Sequence, residues 1–167
     1  MLARSIADRL AGQLDGLSTI LRDSSPDLLT ARAADGKWSA HENLAHLLRH
    51  HEVMMERIER ILREDRPALP RYRAEDDSAW PAVAAQAPDE VVRLLRGSRE
   101  RLAAFAGGLS DAQLQRTGIH PVFGELNVPE WLEFFLLHEA HHLYVAFARL
   151  GAARAAIRSA GLRIPFS

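Results

Sequence analysis

The sequence predicts an all-α fold, a four-helix bundle, on three observations. Four long stretches repeat apolar side chains at the spacing of one helix face. No run of residues reads convincingly as a strand, and there is no internal repeat. The connection between the second and third long helices is about 25 residues, which when extended outspans the helices it joins. Those two helices can therefore run parallel, linked by a long crossover, rather than form a simple hairpin.

Each element has its own local reason. Residues 3–22 carry Ile6, Leu10, Leu14, Leu17 and Leu21 at helical spacing. Ser24-Ser25-Pro26 ends that stretch, and Pro26 suits the first turn of a short helical piece through Leu29. Asp35-Gly36 is a turn signal. Ser39 and Glu42 match a capping box, and an apolar stripe from Leu44 to Leu62 extends the second helix to about Arg63. Residues 64–88 hold four prolines and many charges, and read as irregular. Loops of this length carry function or small elements of their own. A third helix follows from about Asp89 to Gly107, and Ser110-Asp111-Ala112-Gln113 is a further capping box. Residues 116–128 read as a loop. The fourth helix starts near Asn127 or Pro129 and runs to about Leu150, with Gly151 expected to end it and residues 152–160 expected as a short fifth helix.

Composition narrows the function classes. The 167 residues suit one domain, 1–167. Cysteine is absent, which excludes disulfides, thiolate nucleophiles and cysteine metal sites. Basic and acidic residues number 21 and 22, so no basic excess points to nucleic acid. Lys37 is the single lysine, which leaves little scope for Schiff-base chemistry. No transmembrane stretch or signal peptide is apparent, and the expected location is the cytoplasm.

The histidines carry the chemistry. Seven of the eight fall in residues 41–51 and 138–142, and the other is His120. On the fourth helix His138 and His142 sit one turn apart, about 40° from each other, on a face shared with Trp131, Phe134 and Phe135. Imidazoles at i and i+4 can reach one metal ion. On the second helix His46 and His50 lie at the edge of the apolar face and are candidate ligands, whereas His41 and His51 read as structural. Three neutral imidazoles with an open fourth position are a catalytic-metal arrangement, and such ligands suit Zn, Ni, Cu and Fe alike.

His138-Glu139-Ala140-His141-His142 also matches the H-E-x-x-H pattern of zincin peptidases. Those enzymes take a third ligand from downstream, and no His, Asp or Glu follows His142. Trp38 reads as a core anchor, and His120-Pro121-Val122-Phe123-Gly124-Glu125 as ordinary loop packing. The arginines of the second and third helices read mostly as solvated faces. Arg49 and Arg57 lie nearest the His46 side, where an anionic group could be held.

Two motifs bring in a family. Lys37-Trp38-Ser39-Ala40-His41-Glu42-Asn43-Leu44-Ala45-His46-Leu47 resembles the second-helix signature of the DinB/YfiT superfamily. His120-Pro-Val-Phe-Gly-Glu-Leu, then Trp131 and His138-Glu-Ala-His-His, resembles that superfamily's lead-in to its last helix. Order, separation and length agree over most of the chain. The resemblance implies an up-down-down-up four-helix bundle. It also implies a divalent metal held by His46, His138 and His142, with His50 and His141 as neighbours of the site. Relatives of this kind include low-molecular-weight thiol S-transferases, a mycothiol-dependent isomerase and proteins described as metal-dependent hydrolases, often dimeric. The chain departs from the family where Val145 replaces a Gln.

The expectation is thus a cytoplasmic metalloenzyme acting on a small-molecule substrate, with Zn, Ni or Fe bound. Either a low-molecular-weight thiol or water is activated, with thiol transfer slightly preferred. A homodimer is expected, and neither nucleic acid nor membrane as partner. The alternative is a non-catalytic, stress-related bundle whose metal is structural, with His50 or Glu42 closing the coordination sphere. The sequence assigns no catalytic base.

Overall fold

In the computed structural model, residues 1–32 and 35–159 are described. The first long helical arm is α1 (Arg4–Gly12), a 3-10 turn at Gln13–Gly16, and α2 (Leu17–Ile20). It is not one continuous helix, because Gly12 and Gly16 bracket the tightened turn and glycine is the poorest helix former after proline. The short α3 (Pro26–Thr30) is capped by Ser25, whose hydroxyl accepts the Leu28 N–H at 3.2 Å. The second arm, α4 (Ala40–Arg63), begins with the expected capping box between Ser39 and Glu42. The crossover contains a 3-10 turn at Ala74–Asp76 and α5 (Trp80–Ala84). The third arm is α6 (Pro88–Gly107), followed by the capped turn α7 (Asp111–Leu114). The fourth is α8 (Val128–Ser159), capped by Asn127, whose side chain accepts the Glu130 N–H at 3.0 Å.

Two apolar clusters fix the directions of the arms. One joins Ile6 and Leu10, from the start of the first arm, with Ile58 and Ile61 from the end of α4, Leu102 and Ala106 from the end of α6, and Trp131 and Phe135 from the start of α8. The other joins Leu14 and Leu17, Leu44 and Leu47, Val91 and Leu95, and Ala146 and Leu150. The first arm and α8 therefore point one way, and α4 and α6 point the other. This is the up-down-down-up bundle the sequence implied, with α4 and α6 parallel and the crossover between them. Among the described residues, no helix is long and apolar enough to cross a membrane.

Two expectations are corrected. The loop expected over 116–128 contains an antiparallel hairpin, β1 (Thr117–His120) with β2 (Gly124–Asn127), in register from Thr117 opposite Asn127 to His120 opposite Gly124. Four-residue strands are too short to show an alternation. What holds them is tertiary: Ile119 donates to the Pro67 carbonyl and accepts from the Leu69 N–H, both at 2.9 Å, so β1 is stitched to the crossover. The second correction is that α8 does not stop at Gly151. Residues 152–159 continue it, and residue 160 of the expected fifth helix lies outside the described residues. Ala152, Ala153, Ala155 and Ala156 are strong helix formers, and no proline follows until Pro165.

Gly118 and Gly151 make opposite predictions. A Cβ at Gly118 would lie 2.8 Å from Ile61 Cγ1 and 3.0 Å from Leu69 Cδ1. Gly118→Ala is expected to cost about 1–3 kcal/mol by overpacking. At the exposed helical Gly151 nothing lies within 4 Å of a new Cβ. Gly151→Ala should therefore stabilise by roughly 0.5–1 kcal/mol. Urea unfolding midpoints of the two variants check both signs.

Candidate metal centre

α4 and α8 are antiparallel neighbours, so residues one turn apart on each meet in pairs. His46 Nε2 and His138 Nε2 lie 3.3 Å apart. The His142 ring centroid is 4.4 Å from that of His46 and 4.5 Å from that of His138. Each of the three offers one ligand atom within 4.8 Å of the others. Two nitrogens bound at about 2.0–2.1 Å to a tetrahedral ion stand about 3.3–3.4 Å apart, so the His46–His138 spacing matches a shared ion, and His142 is within reach of the same ion.

The protonation states agree. Burial lowers His46 to about 4. Burial, then His142 and His46, lower His138 to about 2. Burial, then His46, lowers His142 to about 3. All three are neutral imidazoles at neutral pH, the form that binds metal. The tautomer of His142 is also set. Asn43 Nδ2 donates to the Ser39 carbonyl at 2.8 Å, which turns Asn43 Oδ1 towards His142. That oxygen accepts from His142 Nδ1–H at 2.9 Å and leaves Nε2 with a bare lone pair. Among the described residues, His46 Nδ1 and His138 Nδ1 are buried without a hydrogen-bond partner, while their Nε2 atoms face each other.

The other histidines separate as expected. His41 Nε2 contacts the Ala84 carbonyl at 3.1 Å, and His51 is buried inside the bundle. His50 stacks on His138 with centroids 3.9 Å apart, and exposed His141 sits edge-on to His142. Glu42 is engaged by Arg32 and the Ser39 N–H, so it is not free to ligate.

A cleft of about 750 Å³ opens from the three imidazoles towards the hairpin. Trp38 and His120, expected as core anchor and loop packing, both line it. Trp38 packs tilted against His46 with ring centroids 5.1 Å apart, because the next residue, Ser39, caps α4 and holds the indole over its first turns. His120 lines the cleft because its ring is packed on Trp131 and Phe134 once β1 is anchored. Tyr72, from the crossover, covers His46 with centroids 5.7 Å apart. Its hydroxyl donates to Asp77 Oδ2 at 3.1 Å, and Arg49 Nε donates to the same oxygen at 2.7 Å. The crossover is thereby pinned to α4, and burial together with Asp77 pushes the phenol well above its ordinary value. Phe134 lines the cleft from the helix face already shared with His138, whereas the roles of Tyr72 and Asn43 were missed from sequence, since only tertiary contacts bring them here. Val145, the departure from the family pattern, is half-buried and does not line the cleft.

Glu139 is not part of this site. It is fully buried on the other side of α8. Its Oε2 receives His51 Nε2 at 2.8 Å and the Arg99 guanidinium, and its Oε1 receives Gln13 Nε2 at 2.9 Å. With His51 Nε2–H donated to the carboxylate, His51 Nδ1 faces the Ser98 hydroxyl at 2.8 Å, and that hydroxyl also lies 2.9 Å from the Leu95 carbonyl. Burial and then Arg99 keep that imidazole neutral, its pKa well below the usual histidine range. Burial pulls Arg99 down to about 10, still protonated at neutral pH. A carboxylate so engaged is not available as the base of a zincin.

Comparisons with known proteins agree with this geometry. The family model described as the DinB superfamily matches residues 9–146. A protein of Oceanobacillus iheyensis named "Putative metal-dependent hydrolase OB0413" is 26% identical over 110 residues, covering 65% of this chain and 62% of that protein. The chain thus aligns with less than two thirds of that relative's length. A second protein of that organism, "Putative metal-dependent hydrolase OB0782", is 22% identical over 83% of this chain and 82% of its own. Among solved structures, YfiT from Bacillus subtilis is described as a probable metal-dependent hydrolase with an unusual four-helix bundle topology. It superposes with a TM-score of 0.72 at 19% identity, over 98% of this chain and 92% of that chain, and so shares the fold.

Glu139→Gln separates a structural from a catalytic glutamate. It leaves the Arg99 charge buried without its carboxylate, a loss expected to cost about 3–5 kcal/mol. Urea unfolding should show that loss, whereas replacing a catalytic base would leave stability intact.

Proposed function

The chain belongs to the DinB superfamily, and on that premise we propose that it is a metal-dependent hydrolase whose divalent ion is held by His46, His138 and His142. The observation that carries this reading is the convergence of three neutral imidazoles whose ligand atoms lie within 4.8 Å of one another, two of them 3.3 Å apart. Three protein ligands would leave such an ion a further position for water or substrate, and all three imidazoles line the cleft. A cleft of this volume suits a small-molecule substrate.

A divalent ion at this centre supplies a lowered pKa for water and a polarised substrate carbonyl. The protein's own residues do the rest. Asn43 fixes the ring of His142, so that one ligand is oriented before metal arrives. Trp38, Tyr72 and Phe134 wall the cleft with apolar surface, which excludes bulk water and strengthens every electrostatic contact inside. Imidazole ligands suit Zn, Ni and Fe, and the metal present in the purified protein identifies the ion. Transfer of a low-molecular-weight thiol would use the same open position. It differs in requiring the thiol as co-substrate.

Elemental analysis of untagged protein is expected to find about one transition metal per chain, lost in a His138→Ala/His142→Ala variant with unchanged helical content. A panel of nitrophenyl esters and anilides should be hydrolysed without added thiol, and the double variant should lose that activity. Product formed only when a thiol is added would move the assignment to a transferase. No metal after reconstitution with Zn, Ni, Co and Fe would overturn both. Metal removal by a chelator should abolish turnover while leaving the bundle folded. Collapse of the thermal transition would instead assign a structural ion. Asn43→Ala should weaken metal affinity by about 10–100-fold, read by competition with a chromogenic chelator.

A further inference from the structure

Arg57 is a buried cation that the bundle leaves without a counter-charge. It is 7% exposed. Its Nη2 donates to the Pro70 carbonyl at 2.7 Å, and its guanidinium lies 5.5 Å from the centroid of the Trp131 ring. Among the described residues no carboxylate lies within ion-pair distance of it. Arg49, two turns earlier on α4, is by contrast engaged by Asp77 and Glu52. An uncompensated buried charge is costly, and a guanidinium does not escape the cost by losing its proton near neutral pH.

Arg57 faces the cleft that opens from the imidazoles. Eleven residues carry a helix through about 1,100°, so Arg57 lies within about 20° of His46 on the same face of α4, three turns on. The opposite wall there is His120, 5% exposed. Its Nδ1 accepts the backbone N–H groups of Val122 and Phe123 at 3.1 and 3.2 Å. The proton of this neutral ring is therefore on Nε2, which makes His120 a donor. Arg71 and Arg73 also line the cleft, against Glu75 as the one acidic residue lining it among the described residues.

We propose that Arg57, assisted by His120, anchors a carboxylate on the substrate at the end of the cleft remote from the three histidines. The inference rests on the metal-dependent reading and adds the substrate's class to it. A guanidinium fork and one imidazole N–H match the two oxygens of a carboxylate. The three-turn rise, shortened because the arginine side chain leans back towards the helix N-terminus, sets the anchor about 10 Å from the imidazoles. The substrate is thus an anionic amide or ester whose carboxylate lies several bonds from the group that is cleaved.

Two hydroxamates of equal chain length test this. Suberic acid monohydroxamate carries a terminal carboxylate, and octanohydroxamic acid carries a methyl group in its place. Both present the same metal-binding end. Calorimetric titration of the metal-loaded protein is expected to show the carboxylate compound binding at least about 10-fold more tightly. In Arg57→Gln that advantage should disappear while octanohydroxamic acid binds as before, which also shows that the variant is folded. Arg57→Met, which fills the same space beside Trp131, replaces the glutamine variant if the latter does not fold. Equal binding of both compounds by the wild type, or an advantage that survives in Arg57→Gln, overturns the anchor. A phosphonate-tailed analogue that binds more tightly than the carboxylate would also overturn it. If neither hydroxamate binds, it is the metal reading that fails. The anchor is then decided on metal-free protein with suberate alone: a thermal shift present in the wild type and absent in Arg57→Gln supports it, and equal shifts overturn it.

Discussion

The carboxylate of Glu139 is the interaction on which the rest of the bundle depends. It lies at zero exposure and takes hydrogen bonds from Gln13 on the first arm, His51 on α4 and Arg99 on α6. One side chain from each arm thus meets at a single point, between the two apolar clusters. Apolar packing alone tolerates sliding, because one leucine fits much as the next does. A buried charge does not, since a shift of one turn strands it without partners. The network therefore contributes register more than net stability, and it is register that the site requires.

The consequence for the histidines is geometric. His138 and His142 lie about 100° and 60° from Glu139 around α8. Once Glu139 is fixed towards the interior of the bundle, those two rings are turned to the flank that meets α4. His51 does the same on α4: held by Glu139 and Ser98, it places His46 and Asn43 opposite them. Neither set of ligands needs a loop to position it. Sites built on helices hold their geometry better than sites built on loops. The crossover and the hairpin then supply what helices cannot, a wall and a closed end, and each is fastened by its own polar contacts.

The legibility of the sequence follows from which of these contacts are local. The four arms, the caps at Ser39 on α4 and Ser110 on α7, and the break after residue 22 depend on neighbours within a turn or two, and local pattern carries them. The i, i+4 pair His138 and His142 is likewise a local signal. That His46 joins them, and not His50, was indicated by family resemblance and not by helical phase. The hairpin, the placement of Tyr72 and the burial of Arg57 depend on residues far apart in the chain. Arg57 in particular lies in line with His46, yet a charged residue on a helix edge ordinarily reads as solvated. Only the crossover, folding back so that Pro70 meets its guanidinium, takes it out of water.

Glu139 shows the same limit from the other side. Its spacing between two histidines is that of a catalytic base in a metallopeptidase, and a pattern search assigns it that role. In three dimensions the residues i+1 from a ligand on a helix point away from it by about 100°. Whether that direction leads to a substrate or to the centre of the bundle is decided by what packs there. In zincins the adjacent face opens on the substrate cleft. In this chain α6 and the first arm cover it, and Arg99 and Gln13 complete the carboxylate's hydrogen bonds. The same five-residue string therefore carries a structural glutamate, and the two histidines beside it owe their orientation to that glutamate.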